Sequence, residues 1–131
     1  MKARHFIWHT LNTPSVQNLV GGVIDPRIYA KKTMTSGVEQ HPFIVYKLGN
    51  DSTENFSEDR DITRQFFQVW VHDYFDGDTA DYDRIDTVIT EVKKAFKNAG
   101  SESAVWTTIF LETSQDLNDE TLNTIFRYAR F

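Results

Sequence analysis

Residues 60–100 decide the organisation of the chain. They begin with the run Arg60-Asp61-Ile62-Thr63-Arg64-Gln65-Phe66-Phe67-Gln68-Val69-Trp70-Val71-His72 and end at Gly100. β-Branched and aromatic side chains dominate the quoted run, and such residues favour a pleated, half-buried strand. Alternate residues from Phe67 to Val71 share one face. The opposite face, which includes Trp70, is only partly polar, so we expect both faces of this strand to make contacts.

The second half of the same stretch predicts a long amphipathic helix. Apolar residues recur there at helical spacing, and they are Tyr82, Ile85, Val88, Ile89, Val92, Phe96 and Ala99. Asp78 is expected to cap the N-terminus and Gly100 to end the helix. Acids crowd the start of this segment and lysines crowd its end, which complements the helix dipole.

Working outward, further strands are predicted at 41–48, 104–112 and 120–131, with the first antiparallel to the strand at 60–72. Short helices are predicted at 2–11 and 14–20, with Pro14 as the first residue of the second, and brief strand pairing at 28–29. We expect residues 30–40 and 50–59 to be mobile loops that become ordered only in an assembly. The segment 113–119 is expected to be a polar turn.

This order of elements predicts one α+β domain over residues 1–131. Its expected architecture is a mostly antiparallel four-stranded sheet packed on one long helix, with short N-terminal helices. A chain of 131 residues is long enough to bury a real core. It has no cysteine, which excludes a disulfide framework and thiolate chemistry. No run approaches the roughly 20 apolar residues of a membrane span, so we expect a soluble intracellular protein.

The net charge of −5 is spread unevenly. Residues 1–47 carry six Lys or Arg against two acids, whereas residues 48–92 carry three against twelve. A chain with a basic part and an acidic part can bind copies of itself through complementary surfaces. The residues predicted to form such inter-subunit contacts are the basic Arg27, Lys31 and Lys32 and the acidic Glu54, Glu58, Asp59 and Asp61.

Side chains that could carry chemistry are scattered. His5 and His9 have the i, i+4 spacing of a shared metal site, but no third ligand is nearby and surface histidines are the simpler interpretation. His72 is followed by Asp73, so the two could act as a general base and the acid that orients it. No nucleophile accompanies them. The aspartates of 73–86 lack the spacing of a calcium loop. No catalytic, cofactor-binding or metal residue is therefore predicted.

Several segments together resemble the tail terminator, or tail completion, family of long non-contractile-tailed phages. They are Leu19-Val20-Gly21-Gly22, Arg27-Ile28-Tyr29, Pro42-Phe43-Ile44-Val45-Tyr46, Phe67-Gln68-Val69-Trp70-Val71 and the amphipathic helix that follows. The resemblance covers roughly residues 19–131. The N-terminal piece, with Trp8 and the break at Pro14, departs from the simplest pattern of the family.

The resemblance implies a non-enzymatic virion protein without cofactor, present in the host cytoplasm during assembly. Its protomers would form a homohexameric ring that caps the tail-tube protein, ends tube polymerisation and meets the head–neck connector. Genomic DNA would only pass through the lumen, and no membrane would be involved. The alternatives are another neck or tail-tube-like protein, or a small enzyme of the ferredoxin-like or nuclease type.

Overall fold

The longest strands form where the sequence predicts the central hairpin. A computed structural model of the protein describes residues 2–30, 41–57, 60–74, 82–102, 106–119 and 124–131. Its helices are α1 (Ala3–Leu11), α2 (Pro14–Gln17) and α3 (Asp83–Glu102). Its strands are β1 (Ile28–Ala30), β2 (Phe43–Ser57), β3 (Arg60–Tyr74), β4 (Glu112–Thr113), β5 (Leu117–Asp119) and β6 (Thr124–Arg130).

These strands form one mixed sheet. The order is β1-β2-β3-β6-β4, and β5 also pairs with β6. β1 lies parallel to β2, with Ile28 opposite Ile44, and the other pairs are antiparallel. β3 is central because it pairs with β2 on one side and with β6 on the other.

The predicted architecture of a four-stranded sheet on one long helix is therefore wrong. The sheet has six strands rather than four, and the predicted short N-terminal helices, α1 and α2, form beside α3. β1 extends the brief pairing predicted at 28–29, β5 lies in the predicted turn, and β4 keeps only the last residue of the strand predicted at 104–112. These strands are too brief to leave a periodic signal in the sequence. α1 and α2 both contact α3, so the helical layer is shared among the three.

The core lies between this helical layer and one face of the sheet. Val69 and Val71 of β3 are completely buried there, as are Val88 and Val92 of α3, which confirms the predicted faces of both elements. α1 contributes Ile7 and Leu11. Its Phe6 ring lies 6.3 Å from that of Phe96.

Two arginines form ion pairs between α3 and the sheet. Arg84 of α3 donates to both carboxylate oxygens of Asp73, a buried residue near the end of β3. Arg127 of β6 pairs with Asp86 of α3 and donates from Nε to the carbonyl of Ser114 at 3.0 Å. These contacts fix the helix relative to β3 and β6.

Four local predictions also need correction. Residues 50–57, predicted as a mobile loop, belong to β2, because the ladder with β3 overrides their polar composition. Residues 106–111, predicted within a strand, form none, and only Glu112–Thr113 pairs. The turn predicted at 113–119 contains β5. α3 ends at Glu102 rather than at Gly100. Residues 31–40 and the predicted cap Asp78 lie outside the described residues.

Candidate functional site

The β2–β3 hairpin extends well past the rest of the sheet. β1 pairs with β2 only as far as Tyr46, and β6 pairs with β3 only from Gln68 onward, apart from the terminal bonds between Phe67 and Phe131. From the pair Asp51–Gln65 to the pair Ser57–Arg60, therefore, β2 and β3 pair only with each other among the described residues. We call this part of the hairpin, 51–57 and 60–65, the arm.

The arm begins at an irregularity in the ladder. The register shifts between Leu48 and Asp51, where Gly49 passes so close to β3 that an added Cβ would lie 3.3 Å from the carbonyl oxygen of Phe66. The Gln65 side chain spans the shift by donating to the Gly49 carbonyl at 2.9 Å and to the Phe66 carbonyl at 2.8 Å. A bulge of this kind bends a hairpin and increases its twist.

Of the predicted contact residues, the structure describes Arg27, Glu54 and Asp61. Arg27 donates from Nε to the carbonyl of Pro42 at 2.9 Å, and its guanidinium lies against Gly21, so it has a structural role. Glu54 and Asp61 are strand residues of the arm, where Glu54 faces Ile62 and Asp61 faces Asn55 in the register. Lys31, Lys32, Glu58 and Asp59 lie outside the described residues.

An apolar groove opens beside the base of the arm. Its volume is about 740 Å³, and it lies between the start of α1, the 64–67 part of β3, the segment 106–111 and Phe131. Three of its lining side chains are largely exposed: Phe66 at 41%, Ile109 at 70% and Leu111 at 48%. Exposed apolar side chains that converge on one concavity are typical of a binding surface rather than of scattered surface residues.

One of the side chains that line the groove is cationic: Arg64, which is exposed. The floor is apolar: Phe67 and Phe131 stack at 4.9 Å, and Phe6 stacks on Trp106 at 6.0 Å. The groove therefore suits an apolar group that carries a negative charge beside it.

The face of the sheet opposite α3 carries a ladder of stacked rings. Trp70 lies 4.7 Å from Tyr128 and 5.2 Å from Phe126, and His72 lies 4.8 Å from Phe43. Lys47 places its Nζ 4.0 Å from the centre of the Trp70 ring. Because the rings stack on one another across strands, they stabilise the sheet.

His72 shares this ladder and is buried. Burial lowers its pKa to about 4, an effect that Lys47 and His41 reinforce and Asp119 opposes. Its Nδ1 lies 3.0 Å from Oγ1 of Thr124. Asp73 belongs to the opposite face of β3, where it binds Arg84, so the structure does not join His72 and Asp73 as base and orienter.

The two N-terminal histidines do lie side by side, with the ring centroids of His5 and His9 4.4 Å apart. Over the described ranges, no three His, Cys, Asp or Glu side chains gather closely enough to hold a metal ion. None of the described helices is long and apolar enough to span a membrane.

Neither a scan against protein-family models nor a search of curated proteins finds a match to this chain. The functional assignment therefore depends on the chain's own residues and geometry. Sequence reasoning missed the groove because it placed 106–111 in a strand, where alternate side chains would have pointed to the two faces of the sheet. The available signal was the adjacent run Ile109-Phe110-Leu111, three consecutive apolar residues that an alternating strand does not require.

Proposed function

We propose that this chain is a structural subunit of a phage tail, a terminator that forms a ring on the end of the tail tube and ends tube polymerisation. The observation that carries this proposal is the arm. It is a two-stranded extension of a six-stranded sheet, and its outer edges have no partner among the described residues.

The physical reason lies in the stability of hairpins. An isolated two-stranded hairpin is at best marginally stable in water, and unpaired strand edges invite pairing with other chains. The arm is also polar, and its sequence from Asp51 to Gln65 contains five acids against two arginines. A polar arm of this length gains stability by lying on the surface of a neighbouring subunit.

A ring suits these surfaces because its contacts are heterologous. In a closed ring each protomer presents one surface to the neighbour ahead and a different surface to the neighbour behind. The chain offers an acidic arm and, in a separate part of its sequence, the basic Lys31 and Lys32. The resemblance to tail terminators supplies the rest of the proposal: six subunits, the tube protein below and the head–neck connector above.

The first test measures mass. The full chain is examined by size-exclusion chromatography with light scattering from micromolar to millimolar concentration, and ring-sized particles are sought by electron microscopy. A closed ring that binds the end of purified tail tubes and stops their growth supports the proposal. A ring that binds only the connector assigns the alternative neck role. A monomer at all concentrations contradicts both.

A second variant tests the arm itself. Thr53 and Thr63 are opposite each other in the register, so Glu54–Ile62 can be replaced by Asn-Gly, a pair that favours a tight hairpin turn. The shortened chain should keep the melting behaviour of the parent and lose assembly, because the core is far from the deletion. Full assembly without the arm would overturn its proposed role.

A further inference from the structure

A second exposed apolar feature lies beside β1, the first strand of the sheet. The loop between α2 and β1 presents Val23, which is 56% exposed, and Ile24, which is 100% exposed. Asp25 follows them and is also exposed. An isoleucine with its whole surface in water at the tip of a loop is unusual when the same chain buries most of its other isoleucines.

Hydrogen bonds and the conformation of a glycine fix the shape of this loop, residues 21–26. Gly22 donates to the carbonyl of Gln17 at 2.8 Å, and Arg27 donates from its backbone to the carbonyl of Val20 at 2.6 Å, which closes the base of the loop. Gly21 has a φ of +114°, and an added Cβ there would lie 2.8 Å from the carbonyl oxygen of Asp25. The backbone therefore holds Val23 and Ile24 outward.

The loop and the groove lie at different strands and toward opposite ends of the sheet. Arg27, at the base of the loop, bonds to Pro42 and Ile44 at the start of β2, whereas the groove is lined by residues 64–67 of β3, by 106–111 and by Phe131. Phe67 is opposite Leu48, further along β2, so the loop does not reach the groove of its own molecule. A contact between the two features joins different copies.

We infer that Val23 and Ile24 of one copy insert into the groove lined by Phe66, Ile109 and Leu111 of the next copy. This inference rests on the proposed self-assembly and names its contact. The apolar pair matches the apolar floor, and the exposed Asp25 beside it is complementary in charge to Arg64, which lines the groove. Because the two surfaces differ, the contact is heterologous and can be repeated around a ring.

Cysteine cross-linking tests this contact directly, because the chain has no cysteine of its own. Single variants Ile24→Cys and Ile109→Cys are mixed in equal amounts and oxidised. The expected product is the mixed disulfide dimer, several-fold in excess of either homodimer. The matched control replaces Ile109→Cys with Thr87→Cys, an exposed position on α3 outside the groove, and should give no such excess.

The mass of each mixture is measured in parallel, so that failure of the contact is distinct from failure of the proposed function. A ring without the mixed disulfide overturns this contact and leaves the proposed function standing. The mixed disulfide in a population that is otherwise monomeric supports the contact and overturns the ring. Absence of both overturns both.

A substitution gives an independent reading. Ile24→Asp should leave the melting temperature unchanged, because the side chain is fully exposed, and should raise the concentration for half assembly about tenfold or more through the lost apolar burial. Thr87→Asp is the control with the same added charge. If Ile24→Asp assembles like the parent, the groove receives something else, such as a small apolar molecule or another protein, and the inference is wrong.

Discussion

At the residue scale, Val92 shows how closely burial follows the helical pattern. It is completely buried between α3 and the sheet, as its spacing predicts. Val92→Asp should therefore reduce the free energy of unfolding by roughly 3 to 5 kcal/mol, because it buries a charge without a partner. Thr90→Asp, on the exposed side of the same helix, should change it by less than about 1 kcal/mol. Urea denaturation of both variants checks this, and equal midpoints would contradict the orientation of α3.

Also at the residue scale, His72 should make the stability of the folded protein depend on pH. Its pKa is about 4 in the folded chain and near 6.5 when the chain is unfolded. The unfolded state therefore binds this proton first, so stability is full above pH 6.5 and falls as the pH is lowered towards 4. The loss attributable to His72 is on the order of 3 kcal/mol. His72→Phe keeps a ring in the stack and removes the titration, so its free energy of unfolding should fall less over this pH range. Parallel curves for parent and variant would contradict this prediction.

At the element scale, the sequence predicts an element well when burial decides its structure and poorly when a neighbouring strand decides it. α3 and the buried half of β3 have strong periodicity and form as expected. The arm has a polar composition that is typical of loops, and only pairing across the hairpin makes it a strand. Conversely, 106–111 has the composition of a strand but does not form one: its last residue, Leu111, donates to the carbonyl of Arg130, and the ladder with β6 begins only at Glu112. The groove and the exposed loop at Ile24 arise from such long-range placement, which single-residue propensities do not contain.

The ion pairs that join elements should differ in strength according to their burial. Asp73 is buried with Arg84, whereas Glu112 and Arg130 pair with about half of each side chain exposed. Arg84→Met should cost about 1 to 3 kcal/mol, because it leaves a buried carboxylate short of donors. Arg130→Met should cost less than about 1 kcal/mol. Thermal unfolding of the two variants, which remove the same charge, ranks them. The reverse order would show that α3 is not held to β3 through Asp73.

At the scale of the whole molecule, the uneven charge should affect how subunits meet. If the basic Lys31 and Lys32 face the acidic Glu58 and Asp59 of a neighbour, reversing both lysines to Glu should slow ring formation at low salt without unfolding the protomer. Also reversing Glu58 and Asp59 to Lys should restore it. Light-scattering kinetics at low and high salt measure the effect. Assembly of the lysine double variant as fast as the parent at low salt would remove this contact.

The central place of β3 also affects how the chain folds. Its pairing with β2 is local, and hairpins of this kind form within microseconds. Its pairing with β6 brings together residues far apart in the sequence, such as His72 and Phe126, so this closure is slower. During the interval the second edge of β3 is open to the same strand from another molecule. Refolding yield should therefore fall as the protein concentration rises, through exchange of β6 between chains, even where the native fold is stable.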